Sequence, residues 1–405
     1  MIIKNAKIIQ NEKEVIKDIL IENEKIVKIE DKIKIEDLKN KDHEIIDAKN
    51  NYVLPGIIDP HVHLRDPGLT HKEDFTTGSM ACAKGGITTF FDMPNTIPNV
   101  TSQEELNHKK EIHKNSSYVD YAFWFGGSKD NNKKEIEKIK YKVIGTKVFM
   151  NVSTGNMLIE NDKTLDDIFK VSKIVGVHAE GKMVEKAIYL SEKFNTPLYL
   201  CHLSTKEEIE YLRNAKKRNL KVYGEVTPHH LFLNEEDVKK NPILRMKPEL
   251  KTEEDNKALW DAIIDGTIDT IGTDHAPHLL REKKEKLIFG IPGAENSLEM
   301  MLKSVKDGKI SLSKLQKIMC ENAAKIFKLK SKGKIDIGYD GDFVIVDVNC
   351  HDKISTKDVI SKCGWTPYEN IEKGGKVLMT IVRGNVVYNS SLENKFINKI
   401  GKEVI

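Results

Sequence analysis

The strongest constraint on how this 405-residue chain can fold is a series of short apolar runs with polar segments between them. The runs are Leu54–Val62, Gly86–Met93, Val119–Phe125, Val143–Met150, Ile174–Ala179, Pro197–Leu203, Lys221–Val226 and Ile268–Thr273. Most are followed by helix-compatible stretches such as Ser102–Asn115, Lys129–Lys140, Lys182–Phe194, Lys206–Asn219 and Glu253–Ile264. Runs that are apolar throughout suit strands covered on both faces. Alternation of strand and helix predicts a parallel sheet, and eight repeats predict an α/β fold closed into a (β/α)8 TIM-like barrel over residues 53–334.

The chain ends read differently. Ile2–Ile9, Ile16–Glu22, Lys25–Glu30 and Glu44–Ile46 look like short strands with too few apolar residues to stand alone. Gly341–Asp347 and Lys376–Tyr388 are strong strands, the second interrupted by the turn signal Arg383-Gly384-Asn385. Residues 1–52 and 335–405 are therefore expected to form one small composite β domain, with Asp31–Asp42 as an exposed turn or short helix.

Charge and composition exclude several classes of function. With 65 basic and 62 acidic residues the net charge is +3, which gives no sign of a nucleic-acid or anionic-membrane partner. No apolar stretch approaches a membrane span of roughly 18 residues, and the N-terminus lacks a signal-peptide core. The cysteines are odd in number and scattered (Cys82, Cys201, Cys320, Cys350, Cys363), so a cytoplasmic location without a disulfide framework is expected.

In a (β/α)8 barrel the chemistry sits at the C-terminal ends of the strands. Those ends carry His61, His63 and Arg65, then Asp92 and Asn95, then Lys147 within the fourth run. His178 and Glu180 follow the fifth, Cys201 and His202 the sixth, Glu225, His229 and His230 the seventh, and Asp274 and His278 the eighth. His61 and His63, two apart on a strand, face one way and can grip one metal ion. An HxH pair alone is a weak signal; it gains weight from the further nitrogen and oxygen ligands, a set that suits zinc. Five such ligands exceed the usual three of one catalytic zinc, so two ions need a bridge. Lys147 lies in a run expected to be buried, where a charged lysine is costly. A neutral amine can add carbon dioxide and become a two-oxygen carbamate able to bridge two cations. The plain alternative is a lysine that reaches solvent at a strand end.

The segments DPHVHLRDPG (59–68), KEDFTTGS (72–79), GGITTFFDMPNT (85–96), GTKVFMN (145–151), VHAE (177–180), CHLST (201–205), EVTPHHL (225–231), GTDHAPH (272–278) and FGIPGAE (289–295) together resemble the dihydroorotases of the amidohydrolase superfamily. The resemblance spans the whole expected barrel. It implies a zinc-dependent, reversible cyclisation of N-carbamoyl-L-aspartate to L-dihydroorotate plus water, in pyrimidine biosynthesis. It further implies that His61 and His63, with Asp274, hold one zinc and that His178 and His202 hold a second. Lys147, as N6-carboxylysine, would bridge the two Zn2+, and Asp274 would shuttle the proton. Arg65, Asn95 and His278 would bind the substrate carboxylate, and the backbone at Pro292 and Gly293 would contact the pyrimidine ring. The loop 152–156 is similar to the family's mobile lid. Lys247 falls where relatives often carry Asn or Arg, so its role stays open. The resemblance also leaves room for association with aspartate transcarbamoylase.

Several other residues take a plainer reading. His229 and His230 are expected to support their neighbours, and Cys201 reads as a small buried side chain, although Cys201 and Glu225 resemble positions that hold an additional metal in some relatives. His43, His71, His108, His113 and His351 are expected to be solvated, and Arg281–Lys286 to be an exposed loop face. Phe123, Trp124 and Phe125 read as barrel core. The rival functions are an allantoinase or hydantoinase, which share HxH, the lysine and the late aspartate, and a non-catalytic scaffold, which would be expected to have lost ligands. HLRDPG, MPNT, DHAPH and IPGAE together favour dihydroorotate.

Overall fold

A computed structural model describes residues 1–405 apart from 39–41, 154, 155 and 287. It contains two sheets. One runs in chain order through Ile57–Val62, Ile87–Asp92, Asp120–Gly126, Gly145–Phe149, Val175–His178, Leu198–Leu200, Val222–Val226 and Thr270–Ile271. All its pairings are parallel, and each expected run supplies one strand.

Closure comes from the strand ends. Val62 bridges His275, and the His63 N–H donates to the His275 carbonyl at 2.8 Å. Beside that seam, Asp59 accepts from the Thr273 N–H at 3.0 Å and from its hydroxyl at 2.6 Å. The first and last strands are thus tied next to the HxH segment and Asp274.

Helices cover the barrel, many opened by side-chain caps. Ser102 and Glu105 form a capping box on Gln103–His113, Thr205 and Glu208 one on Lys206–Lys217, and Thr252 and Asp255 one on Glu253–Asp265. Phe123 and Phe125 point outward into the layer between strands and helices, while Trp124 fills the interior with Tyr199, Cys201 and Phe327. Glycine makes room for that indole: a Cβ on Gly145 would lie 2.6 Å from Trp124, and one on Gly176 2.7 Å. Trp124 Nε1 then donates to the Pro60 carbonyl at 3.0 Å, just ahead of His61.

The second sheet joins both chain ends, in the order Asn385–Asn389, Lys376–Val382, Phe343–Asp347, Tyr52–Pro55, Ile2–Gln10, Lys13–Glu22, Lys25–Glu30, with Ile45–Asp47 also on Ile2–Gln10. The run that reads as one strand from Leu54 to Val62 is therefore two. Tyr52–Pro55 pairs with Phe343–Asp347 in the terminal sheet, and the barrel strand starts at Ile57. Gly56 allows the break, because any Cβ there would collide with Thr88. Arg383 and Gly384 turn the last hairpin with φ of 46° and 72°. Arg383 also donates to Asp120 at the start of the third barrel strand, and Lys332 links Asp120 and Asp342 at 2.7 Å each, so buried ion pairs join sheet and barrel.

Three plain readings need correction. His113 is buried, its ring stacked on Phe75 at 4.0 Å, because the polar helix Gln103–His113 turns that position inward. The His43 side chain is only 6% exposed, beside Glu22. Arg281–Lys286 lies within a helix, Leu280–Lys286, whose Lys283 is buried and donates to the carbonyls of Arg245, Ile288 and Gly290. The expected turn or short helix in Asp31–Asp42 is present at Ile35–Asp37. Thr154 and Gly155, the centre of the lid-like loop, lie outside the described residues.

Candidate active site

The strand ends bring four imidazoles into an arc. Ring centroids lie 5.2 Å apart for His63 and His61, 5.3 Å for His61 and His202, and 4.6 Å for His202 and His178. Asp274 closes one end of the arc, its Oδ1 3.3 Å from His61 Nε2 and 3.0 Å from His63 Nε2. At the other end His178 Nδ1 and His202 Nε2 face each other at 2.9 Å. Lys147 is fully buried in the fourth strand, with its Nζ 2.9 Å from Cys201 Sγ.

Neighbouring side chains fix the ring orientations. Glu225 Oε1 pairs with His61 Nδ1 at 2.8 Å, which leaves Nε2 for the site. The same carboxylate accepts from the His202 N–H at 2.9 Å and the Tyr199 hydroxyl at 2.8 Å. Asn95 Oδ1 pairs with His63 Nδ1 at 2.7 Å, so this residue orients a histidine on the arc in addition to the carboxylate role expected of it. His202, Asp274 and Arg65 hold φ of 37°, 43° and 63°. Elsewhere among the described residues asparagine takes most non-glycine positions of this kind, so backbone strain is concentrated where these side chains must converge.

The electrostatics favour a cation. Burial alone would strip the proton from His61, but Glu225 and Asp274 outweigh it and hold the ring's pKa up at about 10. Burial works against ionised Asp274, yet His61 and His63 keep it well below the usual carboxylate range. His63 is pushed down to about 4 by burial, and burial also lowers His178 and His202. His63, His178 and His202 are thus held neutral, while the Glu225 and Asp274 carboxylates concentrate positive charge at His61, between them. His61, His63 and Asp274 offer ligand atoms within 4.8 Å of one another, and so do His61, Cys201 and Glu225. A metal-binding site fits these residues: the donors are nitrogen and carboxylate oxygen, and they converge at the strand ends.

A second cluster lies beside the arc. The Arg65 guanidinium reaches His278 Nε2 at 3.1 Å and donates from Nε to the Pro277 carbonyl at 3.2 Å. Lys72 Nζ lies 3.1 Å from His278 Nδ1. The segment carrying Pro292 and Gly293 is zipped to the eighth strand end through the pairing of His275 with Ile291 and a bond from the Gly293 N–H to His275 Nδ1 at 3.1 Å. Lys247 pairs with Glu249 at 3.0 Å and lies over the Phe289 ring.

The sequence model of the amidohydrolase family matches residues 52–387. The chain belongs to this family. Within it, this amidohydrolase groups with the dihydroorotases. It is 38% identical over 375 residues to the dihydroorotase of Pyrococcus abyssi, covering 88% of each chain. It is 34% identical over 434 residues to that of Methanosphaera stadtmanae, covering 98% of this chain and 99% of that one. It also matches the multifunctional protein CAD of Squalus acanthias, 36% identical over 342 residues that make up 83% of this chain and 15% of that protein. Among solved structures, the L-hydantoinase (dihydropyrimidinase) of Arthrobacter aurescens superposes with a TM-score of 0.93 at 27% identity, over 100% of this chain and 99% of that one. The dihydropyrimidinase of Brevibacillus agri gives 0.88 at 26%, over 100% and 98%.

His61, His63, His178, His202 and Asp274, each named by the motifs, come together in the arc. Lys72 and Glu73 carry no expected role, although both stand in the KEDF segment. Glu73 is buried, accepts from the Ser361 hydroxyl and lies 3.6 Å from His275, so it ties the loop after the first strand to the C-terminal segment. His229 is buried within the electrostatic reach of Asp274 and His61, with neither ring nitrogen hydrogen-bonded. His230 is held by Thr227 and the Pro248 carbonyl, as a supporting role requires.

Proposed function

We propose that this amidohydrolase is a dihydroorotase that interconverts N-carbamoyl-L-aspartate and L-dihydroorotate plus water, a step toward pyrimidine nucleotides. The observation that carries the reading is the Arg65–His278–Lys72 cluster beside the histidine arc. Dihydroorotate carries a carboxylate on the ring carbon across from the scissile amide nitrogen; hydantoin and dihydrouracil rings do not, and have no use for a buried arginine there. Relatives at 34–38% identity point the same way, while the hydantoinases share the backbone.

In this reading His61, His63 and Asp274 would hold one Zn2+ and His178 and His202 a second, with Lys147, as N6-carboxylysine, the ligand common to both. Carboxylation joins the neutral Nζ to carbon dioxide and releases one proton. The full burial of Lys147 supports it, since a carbamate between two cations is a better occupant of that position than a lone ammonium. Two zinc ions would supply Lewis acidity toward the ring carbonyl and a water that ionises near neutral pH.

The rest is done by side chains of the chain itself. Arg65 offers paired donors to the substrate carboxylate, with His278 and Asn95 beside it. The Gly293 segment, fixed by His275, borders the ring. Asp274, ionised and close to the reacting carbonyl, takes the proton of the attacking water and delivers it to the leaving ring nitrogen. In the cyclising direction the same carboxylate removes the proton from the attacking ureido nitrogen. The five unpaired, buried cysteines suit a reducing cytoplasm, and no helix among the described residues is long and apolar enough to cross a membrane. Association with aspartate transcarbamoylase is compatible with the match to a multifunctional relative.

The deciding experiment sets L-dihydroorotate, allantoin and hydantoin side by side on one zinc-loaded sample with its metal content measured. Ring opening of dihydroorotate with about two zinc per chain is expected. Turnover of hydantoin or allantoin alone would overturn the substrate assignment.

A further inference from the structure

We propose that Lys72 is a positioning residue for carboxylate recognition: it donates to Nδ1 of His278 and so keeps that ring's proton on Nε2, facing the substrate carboxylate together with Arg65. This rests on the dihydroorotase reading.

His278 is buried between two cations, with Lys72 Nζ 3.1 Å from Nδ1 and Arg65 Nη2 3.1 Å from Nε2. A neutral imidazole has one N–H and one lone pair, and neither an ammonium nor a guanidinium can accept. The ring can satisfy only one of them. It does not escape by gaining a proton, because burial and the charges of Arg65, Lys72 and Lys283 all push His278 down.

Two tautomers remain. If Arg65 donates to Nε2, the cluster satisfies itself and His278 offers the substrate nothing. If Lys72 donates to Nδ1, the Nε2–H and the Arg65 N–H confront each other as two donors 3.1 Å apart, and a carboxylate oxygen accepting from both removes the conflict. Substrate therefore selects the second tautomer, and Lys72 makes it available.

The surroundings hold Lys72 in place for this. It sits on the loop that leaves the first strand, where the Leu69 N–H donates to the Arg65 carbonyl and the Lys72 N–H to the Leu69 carbonyl, each at 2.9 Å. Glu73, next in the chain, is anchored to Ser361 and Lys362. Glu282, 3.5 Å away, steadies the ammonium against the nearby charges of Arg65 and Lys286.

The test compares wild type, Lys72→Met and Lys72→Arg as zinc-loaded enzymes with equal metal content. Readouts are kcat and KM for L-dihydroorotate and inhibition by orotate, which keeps the carboxylate, and by dihydrouracil, which lacks it. Lys72→Met is expected to raise KM and the orotate inhibition constant about 10- to 100-fold, the range for lost outer partners of a binding group. Its kcat should stay within about threefold and its dihydrouracil inhibition should not move, while Lys72→Arg recovers most of the loss. Equal losses for orotate and dihydrouracil, or unchanged KM, would overturn the proposal while leaving the dihydroorotase reading intact. A wild type inactive on dihydroorotate would sink both. Imidazole nitrogen NMR of the wild-type orotate complex gives an answer even if Lys72→Met misfolds: a proton on His278 Nε2 is expected, and one on Nδ1 refutes the proposal.

Discussion

Glu225 Oε1 lies 2.8 Å from His61 Nδ1, and this one contact decides which nitrogen of His61 the site receives. The same carboxylate holds the His202 backbone, so it sets two members of the arc at once. Glu225→Gln keeps the size and one acceptor but loses the charge. Zinc affinity or activity is expected to fall about 10- to 100-fold, as for other outer partners of ligating histidines. Metal titration of the apoprotein, with circular dichroism to confirm the fold, measures it.

Asp274→Asn removes the carboxylate that faces both His61 and His63. With the proton carrier gone, kcat for dihydroorotate should drop by about 10²- to 10⁴-fold, in both directions of the reaction. A loss carried by kcat, with little change in KM and equal metal content, is the discriminating result.

Metal removal gives a third expectation. Prolonged chelation should abolish turnover, and zinc alone should restore it more slowly than zinc with bicarbonate if Lys147 must be carboxylated. Mass spectrometry of gently handled protein would show the added carbon dioxide directly. Lys147→Ala should not regain activity with zinc alone, and a short carboxylic acid added to the medium should rescue part of it.

Lys109 Nζ and Asp92 Oδ2 form an ion pair of 2.6 Å with both side chains buried, and Asp92 Oδ1 also accepts from the Leu64 N–H at 2.9 Å, between His63 and Arg65. Lys109→Met leaves a buried charge without its partner and should cost about 3–5 kcal/mol of stability. Adding Asp92→Asn should return a large part of that loss. Denaturant unfolding of the two variants checks both statements.

His113 supplies the pH dependence. Burial, then the neighbouring Lys109, lowers its pKa to about 4, against about 6.5 in an unfolded chain. Between these values the unfolded state binds more protons, so this group's contribution is complete above about 6.5 and is lost as pH falls toward about 4. Wild type should therefore lose on the order of 2–3 kcal/mol more than His113→Gln across that window. Calorimetry at several pH values measures the difference.

The barrel was legible because its strands are apolar on both faces and end in ligand-type residues, which no helical period imitates. The arc was legible for the same reason: His61, His63, His178, His202 and Asp274 all sit at strand ends. What escaped the sequence depends on distance in space. The inward turn of His113 follows from stacking on Phe75, and the burial of Lys283 from three carbonyls it caps. Lys72 stood in a quoted motif, yet its contact with His278 joins the loops after the first and last strands, 206 residues apart in the chain. The break at Gly56 depends on Thr88, which a one-dimensional reading of an apolar run cannot see.

Tyr52–Pro55 pairs with Ile2–Gln10 on one side and with Phe343–Asp347 on the other. A ribosome making the chain at roughly 5–20 residues per second releases the first of these partners early and the second about 15 to 60 seconds later. Throughout that interval the nascent N-terminal strands carry an uncovered edge and an unfinished apolar face. The Lys and Glu residues spaced along Lys13–Glu22 and Lys25–Glu30 keep those strands soluble until the C-terminus arrives to complete them.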